Sequence, residues 1–83
     1  MDTDYILAVK IIGRSEHAAA VQKILTGHGC EIRARLGLPQ QERNSCTDTG
    51  LLILHIISDE KTMEKMCAEL NGIDTVSAKY MDL

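Results

Sequence analysis

The sequence predicts an α+β fold: a ferredoxin-like βαββαβ sandwich, with a four-stranded antiparallel sheet and two helices on one face. Three observations carry this. Hydrophobic periodicity switches between two and 3.6 residues in the order β-α-β-β-α-β, with short connections. The first and third strands, which that topology makes central, are the two most apolar segments. The chain has 83 residues with no linker, repeat or low-complexity stretch, so residues 1–83 form one domain.

Tyr5 to Ile12 is β-branched and aliphatic apart from Lys10, which reads as a central strand buried on most of both faces. Gly13-Arg14 breaks it. Ser15 is suited to cap a helix, with Glu16 in the first turn, where the helix dipole favours negative charge. Ala18, Val21, Ile24 and Leu25 repeat at helical spacing to about Thr26, and Gly27 and Gly29 supply the stop. Ile32, Ala34, Leu36 and Leu38 alternate with Glu31, Arg33, Arg35 and Gly37, predicting a strand with one apolar and one polar face, ended by Pro39. Gln40 to Thr49 is polar and aperiodic, as a loop is. Leu51 to Ile57 is the second central strand. Ser58 or Asp59 caps a second helix whose buried stripe is Met63, Met66, Cys67 and Leu70, and Asn71-Gly72 ends it. Val76, Ala78 and Tyr80 alternate in a last strand.

With both helices on one face, the other sheet face is expected to be wet, yet it carries Ile6, Ala8, Lys10 and Ile12 on one central strand and Leu51, Ile53 and His55 on the other. An apolar patch of that kind on a small domain marks association, so a homo-oligomer, dimer or tetramer, is expected.

Composition excludes several function classes. Nine basic against twelve acidic residues give −3, so no global cationic field favours nucleic acid or anionic lipid. Two tyrosines and no Phe or Trp leave no stacking platform for RNA on the central strands. Three cysteines without a C-x-x-C spacing argue for reduced thiols. The acidic start and the short apolar run at Tyr5–Ile12 fit neither a signal peptide nor a membrane span. A cytoplasmic location is the expectation, without membrane or nucleic-acid partners.

No nucleophile elbow, phosphate loop or paired carboxylates point to catalysis, and Ser15 with His17 reads as a capping serine beside a solvent-facing histidine. The protein is therefore expected not to be an enzyme, with no catalytic residue and no cofactor. No histidine or cysteine spacing matches a structural zinc site, so no metal ligand is assigned. The alternative to a regulatory role is a metal-binding or redox-sensing module built on Cys46 with His28, Cys30 or His55.

The most distinctive stretch is Arg33-Ala34-Arg35-Leu36-Gly37-Leu38-Pro39-Gln40-Gln41-Glu42-Arg43. Two arginines on one strand face run into a Gly-x-Pro turn and then Glu-Arg. Such a stretch serves either as a charged edge strand or as a pocket lip that binds anions.

The motif Arg35-x-Gly37-x-Pro39-x-x-Glu42-Arg43 resembles that of the iron-only hydrogenase system regulators. So does the layout around it: an Ile/Val-rich first strand ending in Ile-Gly, a helix, a glycine-bracketed turn and an apolar third strand. The resemblance implies an ACT-like ferredoxin fold, similar to the sensory domain of the nickel-responsive repressor, acting as an oligomeric regulatory domain. That repressor's His-x-His on the second strand falls here near Gly37-Leu38-Pro39, with no histidine, while Cys46 lies close to its cysteine position. Nickel sensing is not carried over, and no ribbon-helix-helix segment is present. ACT-like sensors hold small effectors near the loop after the first strand, at a subunit interface, where Gly13 matches the usual glycine and Arg14 adds a charge. The ligand-binding residues expected on this resemblance are Gly13, Arg14, Arg35, Gly37, Pro39, Glu42 and Arg43.

Overall fold

The structure is a computed structural model and describes residues 2–12, 15–39 and 50–83. The elements run β1 (Thr3–Ile11), α1 (Ser15–Gly27), β2 (Ile32–Pro39), β3 (Gly50–Ser58), α2 (Glu60–Asn71) and β4 (Val76–Asp82). The strands form one sheet in the order β2-β3-β1-β4, with every neighbouring pair antiparallel. This is the ferredoxin-like sandwich, and the two apolar strands are the central ones, but they are buried on the helix side alone, which corrects the expected burial on most of both faces.

Period two sorts the central strands. Tyr5, Leu7, Val9 and Ile11 of β1 and Leu54 and Ile56 of β3 are buried toward the helices. They meet Val21 and Leu25 of α1, Met63, Met66 and Leu70 of α2, and Val76 and Ala78 of β4. Cys67 packs partly against this core, in the stripe its spacing assigned. The only two aromatics come together: Tyr5 and Tyr80, diagonal across the β1–β4 pair, stack edge to face with centroids 5.5 Å apart. Such a pair contributes about 0.5–1.5 kcal/mol beyond the area it buries.

Asp59 caps α2, accepting the Thr62 backbone N–H at 2.7 Å. The Thr62 side-chain hydroxyl first, and then this backbone N–H, hold the Asp59 carboxyl below the usual carboxylate range. A carboxyl so depressed stabilises the fold above its unfolded pKa, and the contribution is lost as pH falls through the folded one. Asp59→Ala should therefore lower the melting temperature by a few degrees at neutral pH, with the deficit shrinking on acidification below the carboxylate range. Melting curves across pH check this, and a deficit independent of pH would contradict it.

The second strand departs from its sequence pattern. Ile32 pairs with Ile56, but Ala34 pairs with His55, so a β-bulge at Arg33 puts two residues of β2 against one step of β3. Ile32 therefore sides with the helices, while Ala34 and Leu36 lie on the opposite face, beside His55 and Ile53. The expected single apolar face from Ile32 to Leu38 is corrected accordingly, and so is the shared face of the arginines. Arg35 pairs with Leu54 on the helix side, and Arg33 occupies the bulge.

Candidate functional site

The side of the sheet away from the helices is the most distinctive surface. Cross-strand register arranges it in rows: Leu36–Ile53–Ala8–Lys79, then Ala34–His55–Ile6–Met81, with Leu51–Lys10–Ser77 at one end and Ile57–Asp4 at the other. Ile6, Ala8, Lys10, Leu51, Ile53 and His55 are the residues expected there from alternation, while Ile12, expected with them, lies one residue past the end of β1. Leu36 and Met81 are more than half exposed (56% and 58%) and extend the patch onto both outer strands. Among the described residues, no element packs over this face. Within it, His55 Nε2 lies 2.8 Å from Asp4 Oδ2, a polar pair set among aliphatic side chains that sequence reading missed because it joins two strands.

Both edges of the sheet are guarded, by different means. On β4 the carboxamide of Asn71 takes the place of a neighbouring strand: its Nδ2 donates to the Ala78 carbonyl at 2.9 Å and its Oδ1 accepts the Ala78 N–H at 2.7 Å. On β2 the bulge and the exposed Arg33 and Arg35 disfavour pairing with another strand.

The expected effector residues are only partly brought together. Arg35, Gly37 and Pro39 all lie on β2, and Arg35 and Gly37 are exposed. Gly37 is opposite Leu52, and a Cβ there would meet only Leu52 Cδ2 at an ordinary 3.5 Å, so close packing does not demand glycine at this position. Gly13, Arg14, Glu42, Arg43 and Cys46 lie outside the described residues.

Next to Gly13 in sequence, the end of β1 is tied to the approach to β4. The Ile12 N–H donates to the Thr75 carbonyl at 3.0 Å, and His17 Nδ1 of α1 lies 2.8 Å from Thr75 Oγ1. His17 is thus half-buried and bonded, which corrects its expected solvent-facing role. Thr75 has φ 66°, the left-handed region, which a β-branched residue enters at a cost of roughly 1–3 kcal/mol. Nothing in Asp74-Thr75 signalled this, because the glycine that would ordinarily mark such a turn stands earlier, at Gly72.

His28 and the Cys67 thiol are structural in their contacts, while Cys30 is free and exposed. His28 places Nδ1 3.3 Å from Glu31 Oε1 and Nε2 3.0 Å from Glu69 Oε1, so each ring nitrogen faces a carboxylate. Those two carboxylates lie at opposite ring nitrogens and cannot share one metal with the imidazole. Burial pushes the Cys67 thiol up, against a smaller opposing effect from Asn71, which makes it a poor nucleophile. Among the described residues, no three His, Cys, Asp or Glu side chains converge to hold a metal. Two open grooves flank the α2 N-terminus. One of about 430 Å³ includes His28, Arg33 and Lys65, and one of about 410 Å³ is lined by Thr3, Tyr5, Glu60, Tyr80 and Asp82. No helix among the described residues is long and apolar enough to cross a membrane.

No family model and no curated protein matches the chain. Among solved structures, it is similar to an uncharacterized protein from Thermotoga maritima, with 24% identity and a TM-score of 0.90 over 100% of this chain and 99% of that one. It is also similar to an unknown protein from Galdieria sulphuraria, with 12% identity and a TM-score of 0.76 over 99% of this chain and 50% of that one. A third is the C-terminal domain of the MgtC protein from Mycobacterium tuberculosis, with 16% identity and a TM-score of 0.65 over 95% of this chain and 87% of that one. At these identities the likeness concerns the fold alone, and the chain is a small domain of the ferredoxin-like fold.

Proposed function

We propose that the chain is a small non-catalytic regulatory domain that works as a homo-oligomer, its subunits meeting on the open face of the sheet. The single observation that supports this reading is the aliphatic face Ile6, Ala8, Leu36, Leu51, Ile53 and Ile57, left uncovered by the described residues while both edges are guarded. Guarded edges disfavour growth by strand addition, and an apolar face favours closed association. The absence of catalytic motifs from the sequence supports the non-catalytic part. The Arg35-to-Arg43 motif supports a place among regulators of iron-only hydrogenase systems, with a small effector held where subunits meet.

The test is light scattering on size-exclusion fractions at micromolar concentration. Wild type should elute as a dimer or larger, and Ile53→Glu, which buries a charge in the contact, should elute as a folded monomer. Adding amino acids, nucleotides or small anions should shift the wild-type distribution if one of them is the effector. A wild type that stays monomeric at tens of micromolar would overturn the reading.

A further inference from the structure

The open face has an internal order that selects one way for two copies to meet. On β1 its residues are Asp4, Ile6, Ala8 and Lys10, centred on Leu7; on β3 they are Leu51, Ile53, His55 and Ile57, centred on Leu54. Leu7 and Leu54 are register partners, so the two centres lie in one row across the sheet, continued by Tyr80 on β4 and Arg35 on β2. With the strands of the two sheets aligned, two face-to-face arrangements with a two-fold axis in the plane of the contact are available. An axis parallel to the strands exchanges β1 with β3 and β4 with β2, which lays Lys10 on Leu51 and Lys79 on Leu36 of the second copy. Lys10 then loses water against an aliphatic side chain with no acid opposite it, which is unfavourable, while Lys79 meets an apolar side chain about either axis. An axis across the strands, over the Leu7–Leu54 row, reverses each strand upon itself. Asp4 then lies on Lys10, Ile6 on Ala8, Leu51 on Ile57 and Ala34 on Leu36 of the second copy, and each contact occurs twice.

We propose that the domain pairs with a second copy about this transverse two-fold axis, with reciprocal Lys10–Asp4 contacts fixing the register. The proposal rests on the reading that the open face is where copies meet. Distances agree with it. Asp4 and Lys10 stand about 10 Å from the axis along the strand, at ~3.3 Å per residue. Sheets packed about 10 Å apart with strands inclined by ~30° are displaced sideways there by about 5 Å, within reach of a lysine side chain. In each chain Asp4 also holds His55, so the second copy's lysine completes a Lys–Asp–His cluster at each end of the apolar strip. Among the described residues of the strands, Asp4, His55, Lys10 and Lys79 are the charged and titratable groups on this face. The two-fold pairs the first three with opposite charge or with Ile53, and sets Lys79 beside Met81 near the outer strand.

Charge exchange tests it. In Lys10→Glu both reciprocal contacts join two acids, and in Asp4→Lys both join two lysines. Each variant alone should dissociate at least about tenfold more readily than wild type, because like charges are brought together. An equimolar mixture of the two restores an acid–base pair at both ends and should form a heterodimer with affinity within a few-fold of wild type. Circular dichroism melts confirm that each variant is folded. A second measurement needs no variant: a zero-length carbodiimide cross-link between Lys10 and Asp4 should join isotopically labelled to unlabelled chains, since within one chain the two lie about 20 Å apart along the strand. Variants that associate like wild type, a mixture that does not recover, or a dimer lacking the mixed cross-link would each overturn the two-fold while leaving association on the face standing. A monomeric wild type would instead remove the reading beneath it.

Discussion

Leu54→Ala should remove most of the stability of the domain, while Ile53→Ala, one residue earlier, should leave the monomer folded. Leu54 is fully buried at the middle of β3, on the helix side with Leu7, Ile56 and the α2 methionines. Truncating such a leucine forfeits its transfer energy and leaves a cavity, together about 2–5 kcal/mol. A domain of this size holds a total near the low end of ~5–15 kcal/mol, so a loss of that size leaves little margin. Ile53 points to the open face and is half-buried, so its truncation should cost under about 1 kcal/mol in the isolated chain. Urea titrations at low protein concentration separate the two, with a large fall in midpoint for Leu54→Ala and a small one for Ile53→Ala. At high concentration the order of effects on association reverses, because only Ile53 lies in the proposed contact and binding adds to apparent stability by mass action. Equal losses from the two substitutions at low concentration would contradict the assignment of faces.

Why these neighbours could be told apart before the fold was seen, while others could not, is a matter of period. A strand alternates rigidly, so Ile6, Ala8, Lys10 and Leu51, Ile53, His55 followed from position alone, and only Ile12 was carried one residue past the strand's end. The same rule failed on β2, where the bulge at Arg33 inserts one residue. Ile32 and Leu36 are both apolar for different reasons, one facing the core and the other the open side, and the apparent alternation hid the break. Asn71 was legible as a helix stop but not as a partner of Ala78, since a side-chain bond between elements leaves no periodic trace. Thr75 was illegible because its left-handed backbone is imposed by the tie to Ile12 and His17 and not by its own preference. The candidate site divides in the same way. The apolar face came from alternation, whereas the effector residues came from a motif whose Gly13, Arg14, Glu42 and Arg43 fall outside the described residues.

The substitution with the second largest expected effect is Asn71→Ala. Ala78 is buried, and its outward N–H and C=O both bond one carboxamide, the carbonyl also accepting from the Cys67 thiol at 3.4 Å. Removing it leaves the Ala78 N–H to find water at the rim of a packed helix–strand contact and its carbonyl with only the weak Cys67 thiol donor at 3.4 Å, a loss of about 1–3 kcal/mol. Asn71→Asp sharpens the test. A carboxylate still accepts the Ala78 N–H but cannot donate to the Ala78 carbonyl, and it sets negative charge against that oxygen. Its deficit at neutral pH should equal or exceed that of Asn71→Ala and should ease on acidification, when a protonated carboxyl regains a donor. Hydrogen exchange at the Ala78 amide gives the local readout, since loss of its partner should speed exchange there more than at the interior amides of β1. The same change uncovers the β4 edge, so the variant should also form larger, open-ended aggregates that the wild type does not. If Asn71→Ala leaves both the Ala78 exchange rate and the size distribution unchanged, the carboxamide neither seals that edge nor steers association to the face.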